Sequence, residues 1–298
     1  MIRDLAELAR VSGGVLHGAN AGFGRVATDT RELEAGALFV ALRGERFDGH
    51  DFVPQAAAAG AAGALVARLA STTIAQVVVP DVLAGLSAFA RAWRDDFDGT
   101  VIGITGSNGK TTVKEMTGAI LSRSGPCLVT PGNLNNHIGV PLTLARLEAQ
   151  HRYAVIEMGA NHLHEIEHLA ALAAPQVGLV INAGPAHLEG FGGIDGVARG
   201  KGEMFEALDM DGTAVINADD RFAAYWHGLA RAAGRIVTFG MHERADFSAT
   251  GVRSRVTGAG PVSEFELACP AGRRHVTLAL AGEHNVVDAL AAAATAWA

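Results

Sequence analysis

The sequence is poor in the features that mark several large protein classes. Its 298 residues include two cysteines, Cys127 and Cys269, which form neither a disulfide framework nor a CxxC metal pair. No apolar run approaches the roughly 20 residues needed to span a bilayer. Basic residues number 24 against 31 acidic ones, and the net charge of -7 argues against a nucleic-acid-binding surface. We therefore expect a soluble, cytoplasmic protein that binds anions only at local sites.

The apolar content is high, and its pattern predicts an α/β protein. Hydrophobic residues make up 49% of the chain, enough for a sizeable core and about two domains. Strand-like pieces such as ALFVAL, GALVAR and QVVVP precede a boundary at Pro80-Asp81. Beyond it, TVIGIT, CLVT, YAVIEM, VGLVIN, TAVIN and RIVTF alternate with helical segments, which predicts a mostly parallel sheet. We expect domains at residues 1–81 and 82–298, with a small antiparallel β extension after Gly240.

One glycine-rich stretch, GITGSNGKTT, lies between the strand TVIGIT and a helix-like segment. The usual spacing GxxxxGK[ST] requires a glycine five residues before Gly109, but that residue is Ile104, so the strict pattern fails. Strand, glycine loop and helix still occur in the right order, and a helix N-terminus favours an anion. We predict a nucleotide-phosphate loop in which Lys110 supplies a cation and Thr111 a hydroxyl for Mg²⁺. The residues assigned to it are Thr105, Gly106, Ser107, Asn108, Gly109, Lys110, Thr111 and Thr112.

Other stretches strengthen this interpretation. They are ATDTRELEAGALFVALRGERFDGHDFV, TPGNLNNHIGVPLTL, IEMGANHLHEI, AHLEGFGGIDGVARGKGEMF and AGEHNVVDALAAA. Together with TGSNGKTT they resemble the Mur ligase family, the ATP-dependent amide-bond-forming enzymes of peptidoglycan precursor synthesis. The resemblance implies a small N-terminal α/β domain that binds a UDP precursor and a central ATP-binding domain. Because these ligases have a third, C-terminal domain, it also implies a chain that lacks that domain and ligates weakly or not at all.

The resemblance is closest to the branch that joins D-Ala-D-Ala to UDP-N-acetylmuramoyl-tripeptide. It implies ATP and Mg²⁺ as cofactors, an acyl phosphate intermediate, a role in cell-wall biogenesis, and a monomer. Four alternatives stay open. They are the branch that adds the third stem-peptide residue, a non-catalytic fragment that binds the UDP precursor, a folate polyglutamate synthetase relative, and a P-loop kinase for a small molecule.

Several candidate catalytic residues lie after predicted strands. Glu157 follows YAVI, at the strand end where open α/β sheets bind ligands, although it is also placed to cap the next helix. His187 lies in a loop, where a histidine is ordinarily exposed or hydrogen-bonded, and Lys201 has the pattern of a solvated helix lysine. The resemblance instead implies a metal or phosphate contact for His187 and a carbamylated, metal-binding Lys201. It implies catalytic roles for Lys110, Glu157, His187 and Lys201, and metal binding by Thr111, Glu157, His187 and Lys201.

The other matched positions concern the nucleotide and the reacting centre. Asn135 and Asn136 resemble asparagines that face the reacting centre, although as turn formers they need no such role. His284 and Asn285 match the family's adenine-side motif, with a helix cap as the alternative for Asn285. Asp288 stands where the family pattern has an asparagine, so an acceptor-only carboxylate replaces an amide.

Near the N-terminus, the sequence Thr28-Asp29-Thr30-Arg31 resembles the family's uridine-nucleotide signature. Arg43, in the loop that follows, is assigned to the UDP diphosphate or sugar. The alternative is a turn aspartate beside surface arginines. The resemblance therefore implies substrate binding by these five residues together with the two asparagines described above.

Overall fold

The computed structural model describes residues 4–44, 46–241, 244–258 and 260–298. Its contacts divide the chain into two compact units, Met1–Asp98 with Pro141–Ala149, and Gly99–Val140 with Gln150–Ala298. Residues 82–98 therefore belong to the first unit, and a functional division after residue 81 stays a prediction. In the part of the chain that is described, no helix is long and apolar enough to cross a membrane.

The first unit is built on a mixed sheet. Its strands are β1 (Val15–His17), β2 (Val26–Ala27), β3 (Leu38–Val40), β4 (Gly63–Val66) and β5 (Ala75–Val78). Its helices are α1 (Leu5–Ser12), α2 (Val53–Ala58) and α3 (Val82–Asp95). Among the described residues the strand order is β1-β5-β4-β3-β2, with β1 antiparallel to β5 and the other pairs parallel.

Helices cover this sheet because its strands are apolar on both faces. Phe39 and Val66 pack with residues of α2 on one face. On the other, Gly85 of α3 lies against Leu65, and α1 packs on α3. The side chain of Asp81 accepts a hydrogen bond from the backbone N–H of Ala84 and so caps α3. Helix α3 begins at residue 82 and ends at residue 95.

The second unit contains a parallel sheet. Its strands are β6 (Thr100–Thr105), β7 (Cys127–Val129), β8 (Tyr153–Glu157), β9 (Val177–Val180), β10 (Thr213–Asn217) and β11 (Arg235–Phe239). Its helices are α4 (Lys110–Leu121), α6 (Glu165–Ala173), α7 (Leu188–Phe191), α8 (Ile194–Glu206), α9 (Ala223–Leu229) and α10 (Glu283–Trp297). Helix α5 (Gly139–Leu144) has residues in both units. In the described residues the order is β11-β10-β9-β6-β8-β7, all pairs parallel, so the carboxyl ends of the strands share one edge.

Helices pack on both faces of the parallel sheet. On one face α4 and α10 contribute Val113, Val286 and Leu290 to a buried core. On the other, Met204 of α8 lies against Gly103, where a Cβ would come within 2.9 Å of the methionine sulfur. This close packing seats α8 directly on the strand that leads into the glycine loop.

A small antiparallel sheet completes the second unit. Its strands are β12 (Ser248–Thr257), β13 (Gly260–Cys269) and β14 (Gly272–Leu278), in that order. Phe247, Ala249 and Phe265 bury their side chains in the same core as α4 and α10. The expected α/β class, with a mostly parallel sheet and a small antiparallel β extension, is confirmed.

Candidate active site

The glycine loop lies between β6 and α4, as the sequence predicted. Gly109 caps α4 with φ 81°, a left-handed conformation that favours glycine. At Gly106 a Cβ would come within 3.0 Å of Ile181, so the backbone needs a residue without one. The backbone N–H groups of Ser107 and Asn108 donate to Oδ1 of Asn182, at 3.1 and 3.0 Å. The loop is thus tied to the segment that follows β9.

Lys110 begins α4, and its side chain turns back over the loop. Its Nζ donates to the carbonyl oxygens of Gly106 at 2.8 Å and Ser107 at 3.2 Å. Burial lowers the pKa of this ammonium, whereas the negative charge of Glu157 opposes the shift. The Lys110 side chain is therefore held against the glycine loop, where its charge interacts with the carboxylate at the end of β8.

Glu157 is buried, and each of its carboxylate oxygens has a partner. Thr111 Oγ1 donates to Oε2 at 3.1 Å, and Asn135 Nδ2 donates to Oε1 at 2.7 Å. The Glu157 backbone N–H donates to Thr130 Oγ1 at 2.9 Å. Glu157 does not cap the next helix, because α6 begins after His164 with no side-chain cap. The glycine-loop helix, the loop after β7 and the end of β8 thus meet at one carboxylate.

Lys114 belongs to the same cluster, and the sequence reasoning missed it. Its side chain is fully buried, and Nζ donates to the carbonyl oxygens of Thr130 at 2.9 Å and Gly132 at 3.1 Å. It also lies 3.8 Å from Glu157 Oε2. A spacing of four residues from Lys110 puts both lysines on one face of α4, but this spacing does not distinguish a buried lysine from a solvated one.

A cavity of about 550 Å³ opens beside this cluster in the second unit. Of the predicted site residues, it is lined by Gly106, Ser107, Lys110, Asn135, Asn136, His187 and Lys201. Further lining residues that the sequence did not single out include His137, His164, Glu165 and His168. Residues from five separate stretches of the sequence therefore meet at the edge where parallel strands end, the usual ligand position in open α/β sheets.

Lys201 is not the solvated lysine that its helical position indicated. It is 3% exposed, and its Nζ lies 5.3 Å from the ring centroid of Phe191. Burial lowers its pKa to about 8, the positive charge of Lys110 acts in the same direction, and Glu165 and Glu203 oppose the shift. With this pKa, about a tenth of the side chain is a neutral amine at pH 7, far more than for a lysine with its ordinary pKa.

Histidines also line this cavity. His187 is exposed and has φ 54°, and His164 has φ 68°, both in the left-handed region that is costly for residues other than glycine. Glu167 accepts a hydrogen bond from His164 at 2.8 Å and raises the pKa of that imidazole. Such strain persists where surrounding structure fixes the backbone, and here both strained histidines line one cavity.

Of the four predicted metal-binding residues, only two are in contact with each other. Thr111 and Glu157 are hydrogen-bonded to each other, whereas His187 and Lys201 enter the cavity from α7 and α8. Among the residues that the structure describes, no group of three or more His, Cys, Asp or Glu side chains is placed to hold a metal ion. Metal binding by these residues stays a prediction.

The two asparagines after β7 have different partners. Asn135 bonds Glu157, as described above. Asn136 Oδ1 accepts hydrogen bonds from the backbone N–H groups of Ile138 at 3.1 Å and Gly139 at 2.9 Å, which is the behaviour of a turn former. Both residues line the cavity.

At the start of α10, Gly282 is the N-cap residue and no side chain caps the helix. Asn285 Nδ2 donates backwards to the carbonyl oxygen of Ala281 at 2.8 Å, so the helix-cap alternative for Asn285 is wrong. His284 is exposed beside it. Because α10 packs on α4, both residues of the predicted adenine-side motif are on a helix that adjoins the glycine-loop helix.

Asp288 lies against the glycine loop itself. Its Oδ1 is 2.5 Å from the position that a Cβ on Gly109 would take, and the residue is 7% exposed. Burial raises the pKa of its carboxyl to about 6, while His284 opposes the shift. The departure from the family pattern therefore puts a buried acid beside the loop.

The first unit has a separate cavity of about 420 Å³. It is lined by Thr28, Asp29, Thr30, Arg31, Phe39, Phe47, Gly49, Phe52 and Gln55. Arg31 Nε donates to both carboxylate oxygens of Asp29, at 2.9 and 3.0 Å, and this hydrogen bonding lowers the pKa of Asp29 to about 2. The sequence did not single out the exposed rings of Phe47 and Phe52. Arg43 is exposed and is not among the described residues that line this cavity.

Comparison with known families identifies both halves of the chain. The model for the Mur ligase middle domain matches residues 104–296, and the model described as the Mur ligase family, catalytic domain, matches residues 23–92. The first match alone covers more than half of the chain and includes the glycine loop, the Glu157 cluster and the 550 Å³ cavity.

Individual relatives agree with the family models. The chain is 46% identical to UDP-N-acetylmuramoyl-tripeptide–D-alanyl-D-alanine ligase of Escherichia coli K12, over 97% of this chain and 63% of that protein. It superposes on a crystal structure of MurF from Acinetobacter baumannii with a TM-score of 0.90 and 39% identity, covering 100% of this chain and 65% of that one. For MurF of Thermotoga maritima in complex with ADP the TM-score is 0.75, with 27% identity over 90% and 61% of the two chains. The chain thus spans less than two thirds of the length of these relatives. Because both family models match it, the chain belongs to the Mur ligase family.

Proposed function

We propose that this chain binds ATP and UDP-N-acetylmuramoyl-tripeptide and serves the ATP-dependent joining of D-Ala-D-Ala to that precursor. One observation carries the proposal. The glycine loop with Lys110, the carboxylate of Glu157 and the buried amine of Lys201 all adjoin or line one cavity. The named relatives support this branch of the family over the branch that adds the third stem-peptide residue.

The reaction depends on positioning and electrostatic stabilisation of the reacting groups more than on covalent catalysis by the protein. A carboxylate oxygen of the tripeptide attacks the γ-phosphorus of ATP, the bond to the ADP oxygen breaks, and an acyl phosphate and ADP form. The amine of D-Ala-D-Ala then attacks the acyl carbon, phosphate leaves, and the nitrogen loses a proton. Lys110 is placed to leave the carbonyls of the loop and neutralise phosphate oxygens. The cavity holds the reacting groups together, which reduces the entropy cost of the attack.

The residues present fit Mg²⁺, which prefers oxygen ligands. Thr111 Oγ1 and Glu157 Oε2, which are 3.1 Å apart at the end of the glycine loop, would offer two such oxygens. His187 would offer a nitrogen, and Lys201 would offer an oxygen once it is carbamylated. Bound Mg²⁺ neutralises charge on phosphate oxygens. The chain's own contribution is to orient the Glu157 carboxylate by hydrogen bonds from Thr111 and Asn135.

Carbamylation of Lys201 also belongs to the proposal. A neutral Lys201 amine attacks the carbon of CO₂, a new N–C bond forms, and the nitrogen releases one proton to give the carbamate. The pKa of about 8 supports this step because it raises the neutral fraction at pH 7. Incubation with ¹³C-bicarbonate should give a carbamate carbon signal that Lys201→Gln lacks, and a signal unchanged by that substitution would reject Lys201 as the site.

We assign the UDP part of the precursor to the 420 Å³ cavity of the first unit. The aromatic rings of Phe47 and Phe52 offer apolar surface for a base, and the Asp29–Arg31 pair offers both a carboxylate and a guanidinium. Arg43 stays assigned to the diphosphate or sugar. A monomeric state and a cytoplasmic location also stay predictions.

Calorimetric titration of the 298-residue chain tests the proposal. We expect binding of UDP-N-acetylmuramoyl-tripeptide and of Mg-ADP in separate titrations, with Lys110→Ala weakening only the second. A dipeptide-bearing precursor that binds more tightly than the tripeptide would favour the other branch. Failure of both precursors to bind would overturn the assignment of the first unit.

A phosphate-release assay with D-Ala-D-Ala then separates binding from turnover, with a full-length relative as the positive control. Phosphate release that depends on D-Ala-D-Ala, together with a new amide, would establish ligation by these 298 residues. A stable phosphorylated product formed without any amine would favour the kinase alternative.

A further inference from the structure

Lys114 is an unusual residue because a charged side chain with no exposed surface needs compensation from its surroundings. Its ammonium has three hydrogens to donate. Two go to the carbonyl oxygens of Thr130 and Gly132, and Glu115 Oε1 lies 3.0 Å away. Glu157 Oε2 lies 3.8 Å away and is buried as well. The side chain is therefore fixed by groups from α4, from the loop after β7 and from the end of β8.

The loop that Lys114 holds is the one that presents Asn135 to Glu157. The backbone carbonyls at residues 130 and 132 accept from Lys114, and three residues later Asn135 Nδ2 donates to Glu157 Oε1 at 2.7 Å. The loop is also anchored further on, where the backbone N–H of Gly159 donates to the carbonyl oxygen of Asn135 at 2.7 Å. Removal of the ammonium would leave two carbonyls without their donor and release the start of this loop.

The charge of Lys114 has a second consequence. A divalent cation bound by Glu157 would feel the repulsion of a buried ammonium on the same side as Oε2, in surroundings that screen charges poorly. Lys114 thus has two effects that can be separated. Its hydrogen bonds order the carboxylate and Asn135, and its charge opposes a cation at that carboxylate.

We propose that Lys114 is a positioning residue of this site. Its hydrogen bonds fix the loop that presents Asn135 to Glu157, and its charge lowers the affinity of Glu157 for a divalent cation. The inference rests on the proposed metal role of Glu157. A residue that only supported the fold would, on removal, weaken every ligand or none. Removal of the Lys114 charge is expected instead to reduce the order of Asn135 and to raise the affinity of Glu157 for a divalent cation.

The test uses the full 298-residue chain with ADP and Mn²⁺, whose binding is followed by electron paramagnetic resonance. Lys114→Met removes the charge, and Lys114→Arg keeps it in a similar volume. We expect Lys114→Met to bind Mn²⁺ roughly three- to tenfold more tightly than the unmodified chain, and Lys114→Arg to bind it about equally. Unchanged or weaker Mn²⁺ binding by a folded Lys114→Met protein would overturn the charge effect.

The positioning effect has its own readout in the side-chain amide signal of Asn135 in a ¹H–¹⁵N spectrum. We expect this signal to broaden or shift in Lys114→Met and to be largely kept in Lys114→Arg. A sharp, unshifted signal in Lys114→Met would overturn the positioning role. If Lys114→Met does not fold, Lys114→Gln, a neutral side chain whose amide can still donate to one carbonyl, carries both measurements.

The two layers of the proposal fail in different ways. If the unmodified chain with ADP binds no Mn²⁺, the proposed metal role of Glu157 fails, and with it the effect of Lys114 on cation affinity. The Asn135 signal then decides the positioning role by itself, because that role depends only on hydrogen bonds to the loop.

Discussion

The two cavities of this protein are built on different physical terms. In the second unit the candidate site side chains of Glu157, Lys114 and Lys201 are buried, and each has a hydrogen-bond partner within the protein. In the first unit the cavity is formed by exposed rings and by Arg31, 84% of whose side chain is exposed, paired with Asp29. Buried polar networks contribute to the stability of the free protein, whereas exposed pairs contribute little until a ligand arrives. Substitutions in the cavity of the second unit should therefore change the free energy of unfolding. Substitutions in the cavity of the first unit should change only ligand binding.

The largest expected effect concerns the helix that carries Lys201. Trp226 is fully buried against α8, and its Nε1 donates to the carbonyl oxygen of Ala198 at 3.0 Å. Trp226→Ala should lower the free energy of unfolding by about 3–5 kcal/mol, because it leaves a cavity and removes the side-chain hydrogen bond to the Ala198 carbonyl. Urea titration measures the loss, and hydrogen exchange should localise it to α8. A loss below about 1 kcal/mol would mean that α8 is not seated by this contact.

The second effect concerns ligand affinity in the buried cluster. Lys110→Ala removes an ammonium held at the glycine loop, so ADP affinity should fall roughly 10- to 100-fold, the value of a charged hydrogen bond. Calorimetry measures this change. Arg123→Ala, which removes the same charge from an exposed position just after α4, is the matched control and should leave affinity nearly unchanged. Equal losses in the two variants would mean that overall charge, rather than the loop, attracts the nucleotide.

A third effect is a pH dependence that belongs to Asp288. Its carboxyl titrates near pH 6 in the folded chain against an ordinary value of 3.8, so between these values the folded state binds more protons than the unfolded state. The free energy of unfolding should therefore fall as pH rises from about 4 to about 6 and stay lowered above that. Asp288→Asn cannot titrate, and its stability advantage should grow over the same window to about 1–2 kcal/mol, allowing for partial screening.

Denaturant titrations of both proteins at pH 4, 5, 6 and 7 measure this difference. A stability difference that is constant across these pH values would show that the Asp288 carboxyl is not perturbed by burial. ADP affinity of Asp288→Asn, measured alongside, reports whether the carboxylate beside Gly109 disfavours a bound phosphate.

Local sequence patterns predicted the parts of this molecule that depend on neighbouring residues. Apolar runs gave the parallel strands, and the glycine loop was identified even with Ile104 in place of a glycine, because strand, loop and helix are consecutive. Contacts between distant residues were not predictable in the same way. Lys114 and Thr130 are 16 residues apart, and Asn135 and Glu157 are 22 apart, so only the folded sheet brings them together. A lysine on a helix has the same sequence pattern whether solvent or a buried carboxylate faces it.

The smallest expected effect on stability tests the other side of the comparison. Arg31→Ala removes an ion pair that is exposed to solvent, and the free energy of unfolding should change by less than about 0.5 kcal/mol. Affinity for UDP should nevertheless fall about tenfold, since the guanidinium lines the cavity and is the group suited to phosphate or to a base edge. Arg25→Ala, which breaks another exposed pair, with Glu34, is the control for stability and should leave UDP affinity unchanged. A large loss of stability in Arg31→Ala would show that the first cavity, like the second, is ordered by its own polar contacts before any ligand binds.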